Sequence, residues 1–78
     1  MSIQEELRQV EADLMRLRTE AADLRVQVGD LGPTDAAERS SLIAMADQQE
    51  ALADELEGRR EKLLRRIGDP DRVDTPDA

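Results

Sequence analysis

The chain has 78 residues, a formal net charge of −8, and no histidine, cysteine or aromatic residue. Thiolate or imidazole zinc sites, disulfides, thiol catalysis and a serine–histidine–aspartate triad are therefore excluded. The acidic balance argues against direct binding to nucleic acid, because the phosphate backbone attracts clustered lysine and arginine. Charged residues make up 38% of the chain, and with periodic leucine and alanine they are typical of long solvated helices.

The first half of the chain carries an unbroken heptad pattern. Its apolar residues follow each other in alternating steps of four and three: Ile3, Leu7, Val10, Leu14, Leu17, Ala21, Leu24 and Val28. We predict a helix over residues 2–28, begun by a capping box between Ser2 and Glu5. Gly29 follows the last apolar position and can adopt the left-handed conformation that closes a helix. The turn is predicted over residues 29–34.

The second half repeats the pattern with polar interruptions. Its predicted seam positions are Leu42, Met45, Gln49, Leu52, Leu56, Arg59 and Leu63. We predict a helix over residues 35–67, because Asp35 and Glu38 have capping-box spacing and a glycine and a proline follow Ile67. Residues 69–78 are rich in aspartate and proline, and we expect a disordered acidic tail.

The two patterns match when the chain is folded back at the turn. Leu14 then faces Leu52, and each facing pair joins an a position to a d position, as in an antiparallel seam. We therefore predict an all-α fold, an antiparallel two-helix coiled-coil hairpin over residues 1–68. The rival fold is one long helix in a parallel dimer. Gly29, Gly32 and Pro33 disfavour it, since a glycine and a proline inside a helix cost about 1 and about 3 kcal/mol.

Apolar residues outside this seam predict a second contact surface. They occupy b and e positions on one flank of the hairpin: Met15, Ala22, Ile43, Ala46, Ala53, Leu64 and Ile67. A hairpin buries only one seam, and a chain of this length gains little stability from so small a core. We expect the stripe to bind a second copy, so that a homodimer forms a four-helix bundle, or to bind the helices of another protein.

Acidic residues gather at the predicted hairpin tip, namely Asp30, Asp35 and Glu38. Capping and the helix dipole explain Asp35 and Glu38, and an acidic tip can also hold Mg²⁺ through carboxylate oxygens. The basic residues between Arg59 and Arg66 spread around the second helix. This favours dipole complementation and ion pairs with first-helix acids over contact with phosphates.

The tip sequence Gly29-Asp30-Leu31 is similar to the tip of the N-terminal hairpin of bacterial transcript-cleavage factors. The pairs Gln48-Gln49 and Lys62-Leu63 are similar to residues in the second helix of that hairpin. Those factors insert the hairpin into RNA polymerase to place a metal, and the resemblance implies that Asp30 would hold it.

The two ends of the second helix resemble a family of short actinobacterial coiled-coil hairpin proteins. The shared residues are Asp35, Glu38, Arg39, Arg59, Arg60, Asp69, Pro70 and Asp71. This resemblance implies a helical hairpin and no known activity.

These observations predict a non-enzymatic interaction or assembly module without a cofactor or metal. The alternative is a regulator of nucleic-acid machinery of the RNA polymerase type, acting through the acidic tip. The N-terminal sequence lacks the pattern of a signal peptide, and no apolar run approaches the roughly 20 residues of a membrane span. We therefore expect a cytoplasmic protein with no membrane contact.

Overall fold

The computed structural model describes residues 2–33 and 35–68, which form two helices joined by a short turn. Helix α1 spans Ile3–Asp30 and helix α2 spans Ala36–Gly68. The helices pack against each other and the described residues contain no strand. The predicted all-α helical hairpin is confirmed, and the rival single long helix is wrong. The predicted tail, 69–78, lies outside the described residues.

The two ends of α1 differ in how well local sequence anticipates them. The capping box is present: the Glu5 amide donates to Ser2 Oγ at 3.1 Å, and the Ser2 amide donates to Glu5 Oε1 at 3.2 Å. At the other end the helix continues through Gly29 in helical conformation and ends at Asp30, two residues later than predicted. Leu31 is the extended capping residue, and its amide donates to the Val28 carbonyl at 3.2 Å.

An arginine at the start of α2 fixes the turn. The Arg39 guanidinium donates from Nη2 to the carbonyl oxygens of Gly32 at 3.0 Å and Leu31 at 3.3 Å. The Asp35 amide donates to the Gly32 carbonyl at 3.1 Å. No hydrogen bond joins the Asp35 side chain to Glu38 among the described residues, so the second predicted capping box is not formed.

The buried seam follows the prediction on α1 and departs from it on α2. On α1, Val10, Leu14, Leu17 and Ala21 are buried as the heptad pattern indicates. On α2 the buried residues are Ala46, Ala53 and Leu63. Met45 and Leu52, which were predicted to lie in the seam, are 48% and 43% exposed. Helix α2 is therefore rotated about its axis, so that Ala46, Ala53 and Arg60 replace Met45, Leu52 and Arg59.

The axial register also departs from the prediction. The prediction placed Leu14 opposite Leu52, which puts position 41 opposite Arg25. Ion pairs give a physical reason. In the predicted register Glu50 would lie about 13 Å along the axis from the residue facing Arg25, too far for contact. In the structure Arg25 Nη2 lies 2.7 Å from Glu50 Oε1.

Candidate interaction surfaces

One flank of the hairpin is a row of ion pairs between the helices. Arg18 Nη2 lies 2.8 Å from Glu57 Oε1, and Arg25 contacts both Glu50 and Asp47, the latter at 2.9 Å. We call this surface the ion-pair flank. The hydrogen bonds from Arg25 lower the pKa of Glu50, and the two acceptors raise the pKa of Arg25 above its already high usual value. These side chains are solvent-exposed, so each pair alone stabilises the hairpin only weakly.

The same pattern continues toward the N-terminus of α1. Arg60 Nε donates to Glu11 Oε2 at 3.0 Å, and its Nη1 lies 3.4 Å from Glu57 Oε2. The bond to Glu11 is the main cause of the raised pKa of Arg60. Arg60 occupies a seam position of α2 and is only partly exposed, so its aliphatic stem covers the seam while its head reaches the edge.

Two residues of the predicted partner stripe are not available to a partner. Ala46 is 0% exposed and Ala53 is 3% exposed, because the rotation of α2 turns both into the hairpin seam. The prediction that they form an interface is therefore wrong. Their burial shows that the row Ala46, Ala53 and Arg60 completes the seam of α2.

The other predicted stripe residues remain on the surface. Met15 is 72% exposed, and it lies with Ala22 beside an open groove of about 960 Å³ that Arg18, Glu57 and Arg60 also line. Further large apolar side chains of the stripe that are exposed are Ile43, Leu64 and Ile67.

The ion-pair flank divides this stripe. Ile43 and Leu64 stand three heptads apart on α2, and the two positions between them at heptad spacing are Glu50 and Glu57. Both glutamates are held by arginines of α1. The stripe is therefore a set of separate apolar side chains rather than a continuous apolar surface.

The opposite flank carries an apolar pair that sequence reasoning placed in the core. Met45 and Leu52 are seven residues apart, so they lie on one face of α2 about 10.5 Å from each other. The same heptad row has Glu38 before them and Arg59 after them. We call the four residues Glu38, Met45, Leu52 and Arg59 the α2 outer row.

The outer row borders a shallow groove between the helices. The groove has a volume of about 270 Å³, and Leu24, Gln27 and Met45 are among its lining residues. At its edge Gln49 Nε2 donates to Glu20 Oε1 at 2.8 Å. Gln49 was predicted as a polar seam residue, and it lies half-buried with its amide turned to this edge.

The tip acids are not brought together into a site. Asp30, Asp35 and Glu38 are exposed, and no group of three or more acidic side chains able to hold a metal ion exists within 2–33 and 35–68. The charged group that organises the tip is Arg39, through its bonds to backbone carbonyls. A cation at this position adds positive charge where the Mg²⁺ alternative needs a negative field.

No protein-family model, no curated protein and no solved structure matches this chain. Neither of the two helices described is long and apolar enough to cross a membrane. The surfaces of the hairpin itself are therefore the basis for a functional proposal.

Proposed function

We propose that the protein is a non-enzymatic interaction or assembly module, a helical hairpin that docks against another helical surface. The observation that carries the proposal is the imbalance between buried and exposed apolar side chains. Among the described residues the buried core contains four large side chains and three alanines. Within 2–33 and 35–68 the exposed large apolar side chains are Met15, Val26, Ile43, Met45, Leu52, Leu64 and Ile67.

This imbalance matters because the hairpin is small. A single core in a domain below roughly 70–80 residues rarely supplies more than about 3–5 kcal/mol. Complete burial of one exposed leucine or methionine contributes about 1.5–3 kcal/mol. Five of the seven side chains are less than half exposed, so a surface that covers four of them would add roughly 2–5 kcal/mol. This is comparable to the contribution of the core, so docking and folding would support each other.

Site-specific photo-crosslinking in the native host tests the proposal. A photoreactive amino acid is placed at Met15, at Met45 or, as the matched control, at the exposed Ala12 on the outer face of α1. We expect a discrete crosslinked product from at least one flank position and none from Ala12. If neither flank position crosslinks above the Ala12 control, the protein has no docking partner and the proposal is refuted.

A further inference from the structure

Resting on the proposed function, we propose that the α2 outer row is the docking surface for a second copy of this chain. The α2 helices pack antiparallel about a two-fold axis that passes beside Gln48. Met45 then contacts the partner's Leu52, and Glu38 lies beside the partner's Arg59. Each contact occurs twice, as a two-fold axis requires.

The order of residues in the row carries this inference. At seven-residue intervals the row reads acid, apolar, apolar, base. Reversing such a row and placing it against itself puts apolar against apolar in the centre and opposite charges at both ends. A parallel arrangement would instead put Glu38 against the partner's Glu38 and Arg59 against the partner's Arg59. Charge complementarity therefore selects both the partner, a second copy, and its antiparallel direction.

The corresponding row on the ion-pair flank does not complement itself when it is reversed. It reads Ile43, Glu50, Glu57, Leu64. Reversed against itself, it pairs the apolar ends with each other but puts Glu50 against the partner's Glu57 in the centre. Each glutamate keeps its arginine within the hairpin, so the centre of this interface would desolvate ion pairs instead of burying apolar side chains, which disfavours association. Self-association is therefore expected on the outer row and not on the flank that the sequence pattern indicated.

The side chains of the outer row are accessible for this contact. Met45 and Leu52 are each more than two-fifths exposed. Arg59 is paired with Glu6 within the hairpin, yet its side chain is 57% exposed. A guanidinium has five N–H donors, so Arg59 can keep Glu6 and also donate to the partner's Glu38. The exposed residues beside the row on α2 are polar, namely Ser41, Gln48, Glu55 and Lys62, and they can remain in solvent at the rim of the contact.

The self-interface predicts a dimer that dissociates on dilution, because only two apolar side chains per copy form its centre. Sedimentation equilibrium of the untagged full-length chain over a concentration series measures it. We expect Leu52→Lys to weaken the dimer by at least tenfold, since it places a charge in the apolar centre. Leu64→Lys, a matched change on the other flank, should leave the dimerisation constant unchanged.

A charge exchange separates the self-interface from effects within the hairpin. Glu38→Arg and Arg59→Glu are each expected to weaken the dimer about tenfold, because each puts like charges at both ends of the interface. The double variant should associate about tenfold more tightly than Arg59→Glu, since both lack the pair between Arg59 and Glu6 within the hairpin and only the double variant has opposite charges at both ends of the interface. Within one chain the two positions are about 31 Å apart on α2, so this recovery cannot arise inside a hairpin. Circular dichroism confirms that each variant retains its helix content.

Three outcomes would overturn the self-interface. These are a monomer at all concentrations, a dimer that Leu64→Lys dissociates while Leu52→Lys does not, and a charge-exchanged double variant that associates as weakly as Arg59→Glu. Each would leave the interaction module to be decided by crosslinking in the host. A crosslink from Met45 to a different protein, with no self-association, would replace the second copy by that partner.

Discussion

Enlarging Ala46 tests the seam that the structure assigns to α2. Ala46 is 0% exposed, and leucine adds three carbon atoms at a position already enclosed by neighbours. Overpacking of this kind costs about 1–3 kcal/mol. In a domain of this size 1 kcal/mol shifts the melting temperature by roughly 4–8 °C. We therefore expect Ala46→Leu to lower the melting temperature by on the order of 10 °C.

The assay is thermal unfolding followed by far-ultraviolet circular dichroism at fixed protein concentration. Ala12→Leu is the matched control, because the same substitution at this exposed position of α1 changes helix propensity by the same small amount. In the seam predicted from the sequence, Ala46 would lie on the flank and tolerate leucine. We call the seam that contains Ala46 and Ala53 the alanine seam. A melting temperature of Ala46→Leu that is unchanged or raised, as expected for Ala12→Leu, would refute it.

Two further changes test helix α2 and its ion pairs. Gly58→Ala should raise the free energy of unfolding by about 0.5–1 kcal/mol, since the added methyl group would meet nothing within 4 Å beyond the adjoining backbone of its own helix and its two chain neighbours. Urea unfolding that shows no gain would contradict this. Arg25 lowers the pKa of Glu50, so the carboxylate stabilises the fold above its unfolded pKa of about 4.3 and loses this effect as the pH falls through the folded pKa. The melting temperature of wild type should therefore be higher than that of Glu50→Gln at pH 7, and the two melting temperatures should be equal in strong acid. A difference that persists in acid would count against the pairing of Glu50 with Arg25.

The fold was predictable because α1 offers only one seam. Its apolar residues occupy every a and d position, so the pattern fixes which face is buried. Its start was also predictable, since a capping box involves only Ser2 and Glu5, which are close in sequence. Its end was not, because the turn depends on Arg39, eight residues beyond the capping Leu31.

Helix α2 was mispredicted because its sequence supports two seams with the same spacing. Both use Leu42, Gln49, Leu56 and Leu63, and they differ in whether the residues 45, 52 and 59 or the residues 46, 53 and 60 complete the heptads. Hydrophobicity favours the first set, which contains a methionine and a leucine. Contacts between residues distant in sequence favour the second. Periodicity depends on spacing alone, so it cannot rank the two seams. The seam that is formed also decides which residues stay exposed for a partner, and these are Met45 and Leu52 instead of Ala46 and Ala53.

The choice of the alanine seam has a consequence for what covers the outer row. Rotating α2 to bury the exposed halves of Met45 and Leu52 would gain about 1.5–3 kcal/mol of apolar burial. It would also carry Glu50 and Glu57 away from their arginines, and it would exchange close packing at two alanines for larger side chains. For an isolated hairpin these effects oppose each other.

Dimerisation through the outer row would remove that opposition. A second copy would cover Met45 and Leu52 where they stand, so the rotated seam would no longer gain apolar burial over the alanine seam. The hairpin then keeps its ion-pair flank, and the apolar side chains that α2 carries in excess of one seam form the contact between copies. If the proposed dimer forms, the ambiguity of the α2 heptads is what one helix requires when it packs against two neighbours, one within the chain and one outside it.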